Sequence, residues 1–283
     1  MRNSIFFILL LLFLLPAESK GMVMDADSLF FENHISEFEQ YQSLPMGELM
    51  IKSASLFIGK PYVASTLDKS DKEELVVNLR EFDCTTFVET CLALTGTIKS
   101  QDYSFAQFKR LLQIIRYRDG IIDGYSSRLH YVSDWIYDNS DMDVLRDITD
   151  NLGDVLERKE GNINFMTTHP HLYKQLKDDK GMLSKMKEVE SVINKRGGYY
   201  HIPKKNIPKI ESQIKDGDII VFATLTKGLD YSHIGIAYHD EGKLTFIHAS
   251  TRSKDVTIES RSLYEYCSKS ANCTGITVLR VKE

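Results

Sequence analysis

The sequence has few cysteines, few prolines and no strong excess of charge of either sign. Its four cysteines include no CxxC pair, which argues against a structural zinc site. The formal net charge of −5 over 283 residues excludes a general electrostatic attraction to nucleic acid or to an anionic membrane. Internal repeats are absent. We therefore expect a globular protein that recognises any bound polymer through a pocket and not through bulk charge.

Long hydrophobic runs are also absent, with one exception at the N-terminus. Residues 5–15 are all apolar, follow a basic Arg2 and end at Pro16. This run is too short to span a bilayer comfortably, and the pattern is typical of a secretory signal peptide. An uncleaved membrane anchor is the alternative. We expect residues 1–19 to be a signal peptide and 20–283 to form one exported domain, with the periplasm as its compartment and no membrane span after cleavage.

Cys84 lies where a polar turn gives way to an amphipathic helix. Asp83 precedes it at the N-cap position, and apolar residues follow at helical spacing. A thiol at a helix N-terminus lies at the positive end of the helix dipole, which favours the nucleophilic thiolate. The alternative is a buried and unreactive cysteine.

Two β-rich segments farther along the chain each contribute a histidine. They flank Glu241-Gly242, which predicts a hairpin. A two-residue loop places His248 diagonally beside His233, on one face of the sheet. A loop centred one residue earlier would place the two histidines directly opposite each other. Either register brings both rings to the same face.

Together these residues suit nucleophilic catalysis by a cysteine and a histidine. A base must reach the thiol within hydrogen-bond distance, and a third polar group must orient that base. His233 would be the base, and later the acid that protonates the leaving amine, while His248 would hold its ring. Gly235 and Ala237 share the face of the histidines, and we expect these small residues to let the helix of Cys84 approach. Two histidines that only satisfy each other are the alternative.

The other three cysteines have simpler interpretations. Cys91 lies two helical turns after Cys84, too far for a disulfide, and is most simply a core residue. Cys267 and Cys273 bracket a short loop. An exported protein can form a disulfide there, which the sequence alone leaves open.

The order of the patterns predicts an α+β fold with an antiparallel sheet, because helical patterns come first and strand patterns later. Helical periodicity covers residues 84–98 and 104–118. The predicted strands lie at residues 218–223, 231–238, 244–249, 256–258 and 276–281.

Several motifs, in this order, resemble those of NlpC-type cell-wall cysteine peptidases of the papain-like superfamily. They are Gly59-Lys-Pro-Tyr62, Phe82-Asp-Cys-Thr-Thr-Phe-Val88, Asp216-Gly-Asp-Ile-Ile-Val-Phe222, His233-Ile-Gly-Ile and Ile247-His-Ala-Ser250. The sequence is most similar to the N-acetylmuramoyl-L-alanine amidase-like branch, through residues 79–89, 130–135 and 228–235. The resemblance spans roughly residues 45–280. It implies a papain-like, NlpC-type fold with a nucleophile helix packed on an antiparallel sheet, and a helical insertion at about 100–197.

The resemblance also implies catalytic roles. Cys84 would attack an amide carbonyl, with His233 as base and His248 as its orienting group. Tyr62 matches a tyrosine that helps to form the oxyanion hole, although an ordinary turn tyrosine is the alternative. Asp83 matches an aspartate that often binds a substrate amine, and this role is compatible with the N-cap.

Further residues are candidates for contact with the substrate. The full set of substrate-binding candidates is Asp83, Thr85, Tyr131, Asp134, Trp135 and Ser232. Thr85 and Thr86 stand where common family members have Ser-Gly, and the bulkier pair argues against the usual endopeptidase specificity. An aromatic beside a carboxylate in the insertion suits a sugar, although packing on the core is the alternative for Trp135.

The resemblance therefore implies an enzyme that hydrolyses the bond between N-acetylmuramic acid and L-alanine in peptidoglycan fragments (muropeptides), through a thioester intermediate. It implies no cofactor, and His169 and His171 lack the third ligand that a metal site needs. A γ-D-glutamyl endopeptidase acting on the stem peptide is the alternative within the class. A catalytically silent wall-binding protein and an acyltransferase are the alternatives outside it. The oligomeric state is left open.

Overall fold

A computed structural model describes residues 25–153, 156–160 and 162–283 of the chain. The signal peptide predicted at residues 1–19 lies outside these ranges. Within them, no helix is both long enough and apolar enough to cross a membrane.

The described residues form eight α-helices and eight β-strands. The helices are α1 (Ala26–Phe38), α2 (Met46–Ser55), α3 (Cys84–Lys99), α4 (Phe105–Arg116), α5 (Val132–Asp141), α6 (Phe165–Thr168), α7 (Lys180–Lys195) and α8 (Leu263–Lys269). The strands are β1 (Leu145–Asp147), β2 (Glu157–Lys159), β3 (Tyr199–Pro203), β4 (Ile219–Thr224), β5 (Tyr231–Asp240), β6 (Lys243–Ala249), β7 (Val256–Ile258) and β8 (Cys273–Val281).

The strands form one antiparallel sheet in the order β2-β3-β8-β4-β5-β6-β7, and β1 pairs with β8 as well. The prediction of an α+β fold with an antiparallel sheet is confirmed, and all five predicted strands are present as β4 to β8. The three strands without a sequence signal are β1, β2 and β3. The first two have only three largely exposed residues each, too few for an alternating pattern.

The sheet separates two hydrophobic clusters. On one face Phe87, Val88 and Leu92 of α3 belong to the same buried cluster as Ile236 of β5 and Ile247 of β6. The first residues of α3 therefore lie against the central hairpin of the sheet. On the other face, the buried cluster joins residues of β4, β5 and β6 to α8.

The small residues on β5 have a different role from the predicted one. Successive residues of a strand point to opposite faces, and α3 packs on the face of Ile234, away from Gly235 and Ala237. A Cβ at Gly235 would lie only 2.7 Å from the ring of Phe246 and 3.0 Å from the carbonyl oxygen of Ile247. The prediction that these small residues admit the helix is therefore wrong. Gly235 instead lets the neighbouring strand and its side chains approach.

Two further predictions can be compared with the structure. Residues 100–197 contain α4 to α7, and they also contribute β1 and β2, which pair with β8 and β3. This segment therefore extends the sheet as well as adding helices.

Cys267 and Cys273 form the disulfide that the sequence allowed, and it joins the end of α8 to the start of β8.

Candidate active site

The β5–β6 hairpin places the two histidines side by side. Asp240 pairs with Lys243, as the two-residue loop predicted, and both loop residues have positive φ, as a hairpin turn requires. His233 Nε2 lies 2.6 Å from His248 Nδ1, and the two rings are nearly perpendicular, at 84°. The predicted register is therefore confirmed, and the second ring is placed to fix the orientation of the first.

Cys84 is the first residue of α3 and is partly buried. Asp83 Oδ1 accepts a hydrogen bond from the Thr86 N–H at 2.8 Å, and the Thr86 hydroxyl accepts one from the Asp83 N–H at 3.0 Å. This reciprocal pair is a capping box and confirms Asp83 as the N-cap. The cap fixes the position of the Cys84 backbone at the end of the helix.

The sulfur of Cys84 meets the histidine strand at the end of the sheet. The backbone N–H of Ile234 lies near this sulfur and favours its thiolate form, and Ile234 directly follows His233. Pairing between β5 and β6 ends at Ile236 and Ile247, so the two strands separate near this point. The helix therefore reaches the backbone beside His233 at the end of the hairpin, although its body packs on the opposite face.

The electrostatic environment keeps this cysteine neutral. Burial, and then the Asp83 carboxylate, raise the pKa of the Cys84 thiol to about 12, against an opposing hydrogen bond from the Thr85 side chain. Burial, and then the adjacent His248, lower the pKa of His233 to about 3. The helix dipole alone predicted a thiolate, and desolvation together with a like charge outweighs it. The resting pair is a neutral thiol and a neutral imidazole.

Glu259, which carries no distinctive sequence signal, lies behind His248. Its Oε2 is 3.8 Å from His248 Nε2, a buried nitrogen with no hydrogen-bond partner among the described residues. Burial alone would raise the pKa of Glu259. Hydrogen bonds of 2.9 and 2.8 Å from the Arg261 guanidinium, with its charge, outweigh burial and lower that pKa to about 2. An ionised carboxylate therefore stands at the far end of the histidine pair.

Tyr62 lies on the segment that runs beside the start of α3. It forms a parallel bridge with Phe82, and its N–H donates to the Lys254 carbonyl at 2.8 Å. Burial, and then charge on Cys84 and Asp83, raise the pKa of Tyr62 to about 12. Its hydroxyl therefore remains protonated and can donate a hydrogen bond.

Tyr266 of α8 is a further aromatic residue at the site that the sequence did not reveal. Its ring centroid lies 6.0 Å from that of His233 and 5.9 Å from that of His248. Burial, and then Glu259, raise its pKa to about 12, and charge on Cys84 adds to this effect. This ring shields the histidine pair from water on one side and helps to explain the low pKa of both imidazoles.

Three of the predicted substrate-binding residues are buried inside the insertion. The Tyr131 hydroxyl donates to Glu190 Oε1 at 2.7 Å, and Asp134 pairs with two arginines, one of them Arg196 at 2.6 Å. Trp135 belongs to the main core cluster. Exposures of 1%, 1% and 2% leave these side chains almost no surface for a ligand. They organise the insertion, and we leave them out of the proposed substrate surface.

Two other candidates lie at the site. Thr85 is partly exposed and its side chain contacts the Cys84 sulfur. Ser232 is exposed and directly precedes His233, where the pairing of β4 with β5 shifts register. Both are therefore placed to meet a molecule that approaches the sulfur.

Two cavities bear on where a substrate would bind. One of about 230 Å³ is lined by both histidines and by Tyr266. A larger one, of about 620 Å³, lies between α5, the end of α7 and β3, and its lining includes neither Cys84 nor the two histidines. We assign the candidate site from the chemistry of its residues, because the larger cavity is lined by no cysteine and no histidine.

Solved structures with similar folds include several that are similar in sequence. A N-acetylmuramoyl-L-alanine amidase from Bacteroides uniformis ATCC 8492 is 41% identical, with a TM-score of 0.78 over 84% of this chain and 99% of that one. A candidate xylanase from Bacteroides fragilis is 39% identical, with a TM-score of 0.75 over 81% and 99%. Protein LPG0564 from Legionella pneumophila, at 22% identity and a TM-score of 0.69 over 90% and 97%, shows the shared fold alone.

The sequence also matches a family model over most of its length. No curated protein matches the chain. The family model, described as AmiA-like, N-acetylmuramoyl-L-alanine amidase-like, covers residues 52–276, which include Tyr62, Cys84 and both histidines. The 41% identity to the Bacteroides uniformis amidase, over 84% of this chain, supports the same family. The chain belongs to the N-acetylmuramoyl-L-alanine amidase-like family.

Proposed function

We propose that this protein is an exported, periplasmic cysteine amidase that hydrolyses the amide between N-acetylmuramic acid and L-alanine in peptidoglycan fragments. One observation carries the proposal. His233 and His248 form a 2.6 Å hydrogen bond on the hairpin, and the backbone N–H of Ile234, the residue after His233, lies near the Cys84 sulfur. The family and the name of the Bacteroides uniformis neighbour support the choice of bond.

The tautomers of His233 and His248 follow from which ring nitrogen must accept a proton and which must donate a hydrogen bond. To accept the thiol proton, His233 must present an unprotonated Nδ1, so its Nε2 carries the hydrogen. That Nε2–H then donates to His248 Nδ1 at 2.6 Å, and His248 in turn carries its hydrogen on Nε2, which faces Glu259. Positive charge that develops on His233 is stabilised through this chain by the Glu259 carboxylate. Glu259 is thus a positioning residue, held by Arg261.

The reaction has two stages, the formation of a thioester on Cys84 and its hydrolysis. Because both partners are neutral at rest, the Cys84 proton moves to His233 as the sulfur attacks the lactyl carbonyl. The Tyr62 hydroxyl donates to the resulting oxyanion, together with the backbone N–H of Cys84. His233 then protonates the alanine nitrogen, the C–N bond breaks, and a muramyl thioester remains. Water, deprotonated by His233, adds to the thioester and releases the acid and the thiol.

The experiment is product analysis on one defined muropeptide, N-acetylmuramoyl-L-alanyl-D-glutamyl-diaminopimelate. We expect the wild-type protein to release free muramic acid derivative and the intact tripeptide, detected by mass spectrometry. Cys84→Ala should abolish release, whereas Cys91→Ala removes the other free cysteine, which lies in the core, and should keep it. Acid quenching during turnover should trap a muramyl adduct on Cys84.

Other outcomes would reject the proposal in distinct ways. Release of muramyl dipeptide would identify a γ-D-glutamyl endopeptidase. Cleavage that survives Cys84→Ala would exclude the cysteine mechanism. Binding without cleavage by the wild-type protein would indicate a silent wall-binding protein, and transfer of the muramyl group to an added amine would indicate an acyltransferase.

A further inference from the structure

The cavity beside the two histidines carries cationic side chains that nothing neutralises. Its volume is about 230 Å³, and Arg252 and Lys269 line it together with His233 and His248. Within residues 25–153, 156–160 and 162–283, neither cationic side chain has an ion pair or a hydrogen bond. Two free cations therefore face the same small space as the catalytic base.

The wall that carries Arg252 is fixed by hydrogen bonds to the segment of Tyr62. Within the loop, the Lys254 N–H donates to the Ser250 carbonyl at 2.9 Å, and the Lys254 carbonyl accepts from the Tyr62 N–H at 2.8 Å. The Val256 N–H donates to the Lys60 carbonyl at 2.8 Å. The loop between β6 and β7 is thus held beside the proposed oxyanion donor.

The opposite wall, with Lys269, is also fixed. Lys269 is the last residue of α8, and the disulfide from Cys267 to Cys273 ties this end of the helix to β8. The Lys204 ammonium donates to the Ser270 carbonyl at 3.2 Å. Both cations therefore project from anchored backbone, which favours a defined binding position over two independent surface charges.

The charges of the cavity sum to a positive value. Glu259 is the acidic residue in its lining, and the Arg261 guanidinium pairs with it at 2.8 Å. The charges of Glu259 and Arg261 cancel, and the two histidines are neutral. The positive charges of Arg252 and Lys269 therefore remain. A small, partly enclosed cavity focuses such a field more strongly than an open surface does.

We propose that this cavity is an anion subsite, in which Arg252 and Lys269 bind a carboxylate from the peptide part of the substrate. This inference rests on the proposed function. The muramoyl-L-alanine amide joins an uncharged sugar to a peptide that carries free carboxylates. Because the cavity beside the base is cationic, we place the peptide part of the substrate, and not the sugar, on the side of α8. It makes the enzyme selective for fragments whose stem carboxylates are free over those in which they are amidated.

The test measures binding separately from turnover. Calorimetry is performed on the full-length chain with Cys84→Ala, which leaves the lining of the cavity intact. The two probes are N-acetylmuramoyl-L-alanyl-D-glutamate and its diamide. We expect the acid to bind about tenfold more tightly than the diamide, because only the acid carries charge into the subsite. Arg252→Gln with Lys269→Gln should reduce that preference to about threefold or less.

A matched control comes from α7. Lys185 is exposed there and lines none of the cavities described, so Lys185→Gln changes the net charge without touching the subsite. This variant should keep the full preference for the acid. Equal binding of acid and diamide, binding of neither, or a preference that survives the double replacement would each overturn the subsite.

Turnover by the active chain distinguishes the subsite from the proposed function. If the acid preference depends on Arg252 and Lys269 but the active chain releases no peptide, the subsite stands and the amidase proposal fails. If the active chain cleaves the amide bond and shows no preference between acid and diamide, the amidase proposal stands and the subsite fails.

Discussion

Burial decides the protonation of the two candidate catalytic residues, Cys84 and His233. Cys84 is neutral because burial and Asp83 outweigh the helix terminus, and His233 is neutral because burial and His248 disfavour its charge. A preformed thiolate–imidazolium pair is therefore not the resting state. The enzyme would create its nucleophile only as the proton moves to His233 during attack.

This protonation state predicts slow alkylation of Cys84 in the free protein. With a thiol pKa of about 12, the thiolate fraction near neutral pH is far below that of an ordinary cysteine. We expect iodoacetamide to react with Cys84 at least about tenfold more slowly than with N-acetylcysteine, at a rate that rises steadily with pH. Labelling followed by mass spectrometry, with Cys84→Ser as the blank, checks this. A fast rate that is constant from acid to neutral pH would instead indicate an ion pair.

Glu259 provides a second prediction at this scale. Glu259→Gln removes the charge behind His248, and we expect kcat to fall about tenfold with little change in KM. In the wild-type protein, the Glu259 charge partly opposes the burial that lowers the His248 pKa to about 4. Without this charge that pKa should fall further, so the acid limb of the activity profile should move to lower pH. Steady-state kinetics against pH measures both effects.

Two variants separate positioning from simple loss of structure. Glu259→Asp keeps the charge and should recover part of the activity. Glu241→Gln removes an exposed carboxylate from the hairpin loop and should behave as the wild type. An unchanged kcat and pH profile in Glu259→Gln would mean that this carboxylate serves only the fold.

At the scale of elements, a buried ion pair joins the start of α3 to the end of α4. Arg116 Nε donates to Glu89 Oε2 at 2.7 Å, both side chains are 3% exposed, and Arg116 also donates to the Val76 carbonyl at 2.6 Å. The pair holds the nucleophile helix against its neighbour. Removing one partner leaves a buried charge without compensation.

We therefore expect Arg116→Met alone to lower the free energy of unfolding by about 3–5 kcal/mol. Glu89→Met with Arg116→Met should lie within about 1–2 kcal/mol of the wild type, because no unpaired charge remains. Urea denaturation of the two variants measures the difference. Equal stability of the single and double variants would show that the ion pair makes no specific contribution.

The elements also differ in how far the sequence specified them. The β5–β6 register followed from its loop, because a two-residue turn fixes which residues pair. The face on which α3 packs did not follow, since small residues at Gly235 and Ala237 are equally consistent with close approach of a helix or a strand. The end of the β5–β6 pairing at Ile236 and Ile247 has no local sequence signal.

At the scale of the whole molecule, four partly or fully buried histidines link stability to pH. Burial is the main cause that lowers the pKa of His130 and His233 to about 3 and that of His248 to about 4, and it also lowers the pKa of His201. In the unfolded chain each has a pKa near 6.5. Between about pH 6.5 and pH 4 the unfolded chain therefore binds protons that the folded protein does not.

The contribution of these histidines to the free energy of unfolding should consequently fall as the pH decreases through that window, by up to about 1.4 kcal/mol per pH unit for each histidine. Urea unfolding at several pH values measures the slope. His130 lies outside the proposed site, so His130→Gln should reduce the slope by about one proton while the contribution of the catalytic pair remains. A slope that does not change in His130→Gln would contradict the assignment.

The sequence by itself determined the N-cap at Asp83, the strands β4 to β8, and two histidines on one face of a hairpin, and it offered Cys84 as a candidate nucleophile. These follow from local rules of capping, periodicity and turn length. Only the tertiary structure decided the burial of Cys84, the carboxylate of Glu259 behind His248, and the cations of the adjacent cavity. Those features depend on the dielectric surroundings and on side chains that are distant in sequence, and neither is encoded within a single segment.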